Sequence, residues 1–461
     1  MYKLDKQLRF EDFVFPYGKL DKENEWVRLT AIIPWDRIEE MYAKKFVNNG
    51  HPAHPVRMAL GSLLIKQMLR CSDERTVQHI SENPYMQYFI GLKEYTSRCP
   101  FGESTMAAFR KRFTEEELAQ INEWILEAKT KKPDDDEPPK PGGNKGTLML
   151  DATCTPADIT YPQDLNLLSK AREKAEGIID QIHAAEGGSK PRTYRKVARR
   201  EYLKVSKLRR KPAKVLRKGI RKQLNYLLRD IGYIANYVSS GIRLTPKQRN
   251  EMNLITTVYE QQRIMYDKKS HQMERRIVSL SQPYVRPIVR GKVKANTEFG
   301  AKLHISLEDG YGRVERLDFE AYNESEDLPK IVERYRERTG HYPKRLLADK
   351  IYRTRDNLAY CKEHGIRLSG PPLGRPRKDE LRDRKSEYQD ACERNAIEGF
   401  FGTGKRTYGL DVIMAKLQST SVTVIMVAVM AMNLKRLVLL RILYMLRRWL
   451  GAEIQPGLIA V

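Results

Sequence analysis

Cysteine and histidine are both scarce in this chain. Five cysteines (Cys71, Cys99, Cys154, Cys361, Cys392) are scattered over 461 residues, odd in number and never spaced as a Cys-x-x-Cys pair. That excludes a disulfide framework and a cysteine-rich zinc site. The eight histidines offer nothing better than His51-x-x-His54, a spacing common in surface turns. Acid is short as well: 59 Asp and Glu face 84 Lys and Arg, a formal net charge of +25. An excess that large points to a polyanionic partner, most simply nucleic acid. No long apolar run is present. The most hydrophobic segment, Val422–Leu434, is about 13 residues long before Lys435 and Arg436 interrupt it, whereas a bilayer span takes about 20. A buried core helix is expected there, and no membrane association. The opening Met-Tyr-Lys-Leu-Asp-Lys is charged and lacks the apolar stretch of a signal peptide, so the chain reads as cytoplasmic.

What is present falls into blocks. Residues 1–128 read as an all-α domain. Apolar positions recur with helical period over Arg57–Arg70, Ser72 N-caps a helix over Ser72–Glu82, Asn83-Pro84 breaks it, and Tyr85–Leu92 and Met106–Phe113 form further short helices. A last helix carrying Arg110, Lys111 and Arg112 suits a helix-turn-helix reader of the DNA major groove, and any small helical bundle produces the same pattern. Residues 129–146, rich in Pro, Asp and Gly, form a solvated linker.

Leu148-Met-Leu-Asp151 and Arg345-Leu-Leu-Ala-Asp349 are short apolar runs that each end on an acid, the pattern of a buried strand with a carboxylate at its tip. Between them, residues 165–283 read as a basic helical insertion. Within Lys190–Lys222 stand 16 Lys or Arg and a single acid, Glu201. Charges so crowded repel one another until a counter-charge arrives, and DNA phosphates with counterion release supply it. Arg199, Arg200, Arg209 and Arg210 are the candidate contacts. A hairpin is expected at Asp309-Gly310, a helix over Leu328–Arg338, and a long charged helix over Glu380–Lys405.

On that helix Arg394, Glu398 and Lys405 stand at offsets 0, 4 and 11, which places them near one face at 3.6 residues per turn. A carboxylate between two cations is also an ordinary salt-bridge ladder. Two strand-borne aspartates and a helical glutamate together form a set of hard oxygen donors able to hold a pair of Mg²⁺ ions. Asp158 and Asp164 remain rivals for the first acid, and Asp327, with the look of a helix N-terminus, for the second. Gly399-Phe-Phe-Gly-Thr-Gly404-Lys405 imitates half of a phosphate-binding loop, but Arg406 follows where Ser or Thr is required, and a polar helix rather than a strand precedes it.

The order of strand, helical insertion, hairpin, helix, strand and long helix fits an α/β ribonuclease-H-like core over 147–164 and 284–415, with apolar helices in 416–461 packing on it. Here the chain resembles the DDE transposases of bacterial insertion sequences, whose third acid sits in a Tyr-x2-Arg-x3-Glu-x6-Lys signature. Arg394-x3-Glu398-x6-Lys405 matches that spacing, Ala391 stands where the tyrosine belongs with Tyr388 nearest, and Asp349-Lys-Ile-Tyr352 looks like the family's Asp-x-x-Tyr. The resemblance implies that Asp151, Asp349 and Glu398 are the catalytic, metal-binding acids, using two Mg²⁺ with Mn²⁺ as a possible substitute. It implies DNA contacts from Arg394, Lys405 and Tyr352. It also implies cleavage and strand transfer at terminal inverted repeats, a target DNA, a homodimer in synapsis, and a place in the bacterial cytoplasm at the nucleoid. The alternatives are an inactive or domesticated DNA-binding relative, or a nuclease that does not join strands.

Overall fold

The computed structural model describes residues 12–16, 18–46, 52–127, 143–289, 297–371 and 384–450. Most of the linker, His51, the Pro/Gly-rich stretch from residue 372 and the first residues of the long charged helix lie outside them. The chain divides into two compact units, one of residues 1–156, 302–318 and 322–461 and the other of 157–301 and 319–321.

The first unit begins with α1 (Glu25–Ile32), α2 (Trp35–Ala43), α3 (Val56–Leu69), α4 (Asp73–Glu82), α5 (Pro84–Phe89), α6 (Glu103–Lys111) and α7 (Glu115–Leu126). Their ends follow local chemistry. Ser72 accepts from the Arg75 amide at 3.1 Å, Asn83 caps α5 with Pro84 in its first turn, and Thr114 with Glu117 forms a capping box. Arg57 is buried on α3, its guanidinium donating to the Phe89 and Tyr88 carbonyls at 2.9 and 2.6 Å, which ties α3 to the end of α5.

The unit continues with β1 (Thr147–Pro156), most of β3 (Thr297–Glu308), β4 (Tyr311–Asp318), α12 (Leu328–Thr339), β5 (Arg345–Ala348), α13 (Arg355–Glu363), β6 (Arg367–Leu368), α14 (Arg384–Thr407) and α15 (Gln418–Leu450). The sheet is mixed: β3 and β4 are antiparallel, β3 neighbours β1, and β1–β5 and β5–β6 are parallel. Asp309 and Gly310 turn the hairpin with φ of 53° and 81°, the backbone that a two-residue primed turn requires. One sheet face carries Leu148, Leu150, Leu346 and Ala348 and packs against Leu328, Ile331, Val332 and Tyr335 of α12. α14 packs against β1 and β5.

α15 packs on β4 of the sheet and also on α3, α7, α6 and α1 of the amino-terminal helices. Asn433 donates to the Asn122 side chain of α7 and to the Gly312 carbonyl of β4, each at 2.8 Å, and accepts from the Gly312 amide at 2.9 Å. Lys435 and Arg436 do not end the helix. Its Gln418–Leu443 stretch is long and apolar enough to cross a membrane by length and composition, yet 72% of its apolar window is buried inside the protein. Core burial accounts for the apolarity.

The second unit holds α8 (Asp164–Glu186), α9 (Arg195–Ser206), α10 (Ala213–Ser239) and α11 (Pro246–Lys268), together with β2 (Arg286–Val289) paired antiparallel to the first residues of β3. Its core joins Leu168, Ala171, Ile178 and Ile179 of α8 to Leu224, Leu227 and Ile234 of α10 and to Ile255 and Val258 of α11. Asp230 of α10 is fully buried: one carboxylate oxygen lies 3.2 Å from Arg229 and the other has no hydrogen-bond partner. Burial pushes its carboxyl up to about 6 from the ordinary 3.8. The folded state thus holds a proton that the unfolded chain has released. This contribution to stability is fully present below about pH 4 and is lost as pH rises through about 6. Asp230→Asn is expected to stabilise the protein at pH 7.5 by up to roughly 3 kcal/mol (about two pKa shifts of 1.36 kcal/mol) and to leave it unchanged near pH 4. Denaturant melts at the two pH values check this.

Candidate active site and nucleic-acid surface

The pairing of β1 with β5 places the first two candidate acids. Thr147, Leu148, Met149 and Leu150 lie opposite Arg345, Leu346, Leu347 and Ala348. Asp151 and Asp349 each follow the last pair, on strands separated by about 4.8 Å. β5 stops there while β1 runs on to Pro156, so Asp151 stands within its strand rather than at the tip, where the apolar pattern had put it. Leu148, Leu150, Leu346 and Ala348 face α12, and strand alternation turns Asp151 to the opposite side. Asp349 is exposed and N-caps a 3-10 turn, Lys350–Tyr352, accepting from the Lys350 amide at 2.7 Å; Asp151 accepts from the Ala152 amide at 2.8 Å.

α14 is fastened over the same strands by charge. Asp390, almost fully buried, receives Arg367 in a bidentate pair at 2.6 and 2.6 Å and Arg345 at 3.3 Å, and Arg345 also reaches Glu393 at 2.7 Å. These anchors were not visible in sequence, since Asp390 lies 45 residues from one arginine and 23 from the other. Beyond them Ile397 and Phe401 are buried and Glu398 is exposed. Glu398 meets Arg394 at 3.1 Å, one turn away, the ladder that its spacing allows. Lys405 is half-buried on the same helix and Ala391 and Tyr388 are exposed. Among the described residues no three His, Cys, Asp or Glu side chains are gathered closely enough to hold a metal ion.

The glycines of Gly399–Gly404 lie inside α14 and form no loop. A Cβ at Gly404 would meet Leu410 at 2.8 Å, so this glycine permits close helix packing, and the phosphate-loop reading is closed. The rival acids have structural partners. Asp164 opens α8 and is paired with Arg276 at 2.6 Å, and Asp327 lies beside Arg316 and His304. Asp158 belongs to the second unit.

Three of the expected DNA contacts need correction. Tyr352 is fully buried, its hydroxyl 2.9 Å from His304 Nε2, so it cannot reach a phosphate. Arg110 is spent on a bidentate pair with Asp73 at 2.9 and 2.7 Å. Arg112 donates to the Tyr42 hydroxyl at 2.7 Å and lies against the Phe46 and Phe109 rings. Only Lys111 of that trio is exposed. In the second unit Arg199, Arg200, Arg209 and Arg210 are all exposed, and Glu201 is paired with Lys222 at 2.7 Å.

Comparison with known proteins agrees with the sequence resemblance. A family described as a transposase DDE domain matches residues 346–435, and one described as a transposase domain matches residues 15–112. An uncharacterized protein, ORF8 in the nfe locus of Rhizobium meliloti, is 33% identical over 149 residues, covering 32% of this chain and 68% of that protein. No solved structure matches. The chain belongs to the DDE transposases of bacterial insertion sequences. The first match takes in Asp349, Arg394, Glu398 and Lys405, and Asp151 lies outside both.

Proposed function

We propose that this transposase cleaves the ends of its insertion sequence and joins them to target DNA by in-line phosphoryl transfer, with Asp151, Asp349 and Glu398 as the metal-binding acids. The observation that carries this reading is the register of β1 and β5, which makes two distant aspartates neighbours, together with the packing of α14 on those two strands. From Arg345 to Asp349 the strand advances about 13 Å, and from Asp390 to Glu398 the helix advances about 12 Å, so a helix anchored at Arg345 has the length to bring Glu398 level with Asp349. The mixed sheet, its antiparallel hairpin and its flanking helices suit the expected ribonuclease-H-like core.

Carboxylate oxygens on adjacent strands are donors of the kind Mg²⁺ or Mn²⁺ takes. Asp151, Asp349 and Glu398 would together hold the two ions. When bound, such a pair activates water or a 3′-hydroxyl and stabilises the departing 3′-oxygen. Glu398 must turn away from Arg394 to join the set, and the same turn frees the Arg394 guanidinium for a bidentate phosphate contact. Lys405 would hold a neighbouring phosphate. The exposed cations of the second unit and Lys111 would track the DNA backbone, and two copies would hold the two ends in synapsis.

The test is incubation of purified protein with a DNA end, a target plasmid and Mg²⁺. Joined products are expected, and EDTA should abolish them. Cleaved ends without joining would make the protein a nuclease, and binding without cleavage an inactive relative.

A further inference from the structure

The turn bearing Asp349 is held from below by a line of buried polar groups that the proposed chemistry does not use. Tyr352 closes the turn, its amide donating to the Asp349 carbonyl at 3.1 Å while its side chain enters the core. The phenol meets His304 Nε2 at 2.9 Å, and His304, fully buried on β3, faces Asp327 with Nδ1 3.7 Å from the carboxylate. Arg316 of β4 lies 3.4 Å from that carboxylate. Asn357 donates to the Tyr352 and Ser325 carbonyls at 2.9 and 2.8 Å, joining the turn to the segment before Asp327. The phenol donates to Nε2, and the other ring nitrogen, Nδ1, lies 3.7 Å from the Asp327 carboxylate and makes no hydrogen bond of its own.

A buried tyrosine in an aromatic core ordinarily needs only packing. This one carries a hydroxyl that costs free energy to bury unless it is partnered, and its partner His304 lies beside Asp327, which in turn pairs with Arg316 of β4. The arrangement restricts the phenol to one rotamer, and the phenol restricts the turn. Groups that orient a metal-bound carboxylate from behind in this way typically change metal affinity or activity by about 10–100-fold when removed.

We infer that His304, held between Asp327 and Tyr352, is a positioning residue for Asp349, fixing the buried phenol on which the Asp349 turn is anchored. This rests on the reading of Asp349 as a metal ligand. Three variants test it: Tyr352→Phe, which deletes one hydroxyl; His304→Gln, whose amide both accepts from the phenol and donates to Asp327; and Asp349→Ala. Each is examined for Mn²⁺ binding by calorimetry, for DNA-end affinity, and for cleavage rate at saturating DNA.

Tyr352→Phe is expected to weaken Mn²⁺ binding and slow cleavage by about tenfold or more with end affinity unchanged. His304→Gln is expected to retain most of both. Wild-type Mn²⁺ affinity and rate in Tyr352→Phe overturn the inference. A parallel fall in end affinity also overturns it, because that marks general loss of the fold. Asp349→Ala separates the two ideas: if it cleaves normally, the ligand assignment fails, and if it is inactive while Tyr352→Phe is normal, only the positioning role fails.

Discussion

Asp349→Ala is expected to abolish end cleavage, by about 10³-fold or more, while leaving DNA-end affinity within a factor of about two. Asp151→Ala and Glu398→Ala should behave alike, because residues that act as one metal-binding unit are each required and their losses do not add. The physical argument for sparing binding is exposure. Asp349 and Glu398 lie at the surface, so truncation leaves no cavity in the core. Glu398→Ala also removes the partner of Arg394, which raises the local positive charge, so its affinity for DNA should hold or tighten slightly. Single-turnover cleavage of a labelled end, with affinity measured in Ca²⁺, provides the check. Cleavage at the wild-type rate in any one of the three variants removes that residue from the site.

Replacing Arg199, Arg200, Arg209 and Arg210 together by alanine is expected to weaken DNA binding steeply at low salt and hardly at all at high salt. Each phosphate contact contributes about 0.9 to the slope of log affinity against log salt, so four lost contacts flatten it by about 3.6. Between 50 and 200 mM salt the deficit of the variant then shrinks about 10²-fold. Thermal stability should stay close to wild type, since all four side chains are exposed. Arg195→Ala provides the contrast. Arg195 pairs with Asp180 at 2.7 Å and, with Lys190, holds that carboxyl down at about 2, so its loss should act on the helical bundle rather than on the salt slope. An unchanged slope in the quadruple variant would move the DNA surface elsewhere.

Local pattern carried much of the architecture. Ser72 announced its helix, Asp309-Gly310 announced its hairpin, and the apolar runs before Asp151 and Asp349 announced the two strands whose pairing brings the acids together. Those features depend on neighbours a few residues away. Features decided by distant partners were illegible. Nothing near Arg110 says that Asp73 will claim it, and nothing near Tyr352 says that its hydroxyl will end on His304. Both look like surface groups until the fold buries them. The length of β1 was illegible for a related reason: the apolar run Leu148–Leu150 reads as a strand that ends on Asp151, yet Ala152, Thr153, Cys154 and Thr155 are buried as the strand continues past the end of β5. α14 shows the reverse case, where the periodic spacing of Arg394, Glu398 and Lys405 was legible but the arginines that fasten the helix were not.

The packing of α15 bears on how the protein comes into being. The amino-terminal helices cannot complete their core until Asn433 and its apolar neighbours arrive, a helix that leaves the ribosome some three hundred residues after α7. A chain cut short before Gln418 would expose that seam to solvent and to proteolysis. Interrupted synthesis should therefore leave little in the cell able to occupy the element's ends unproductively.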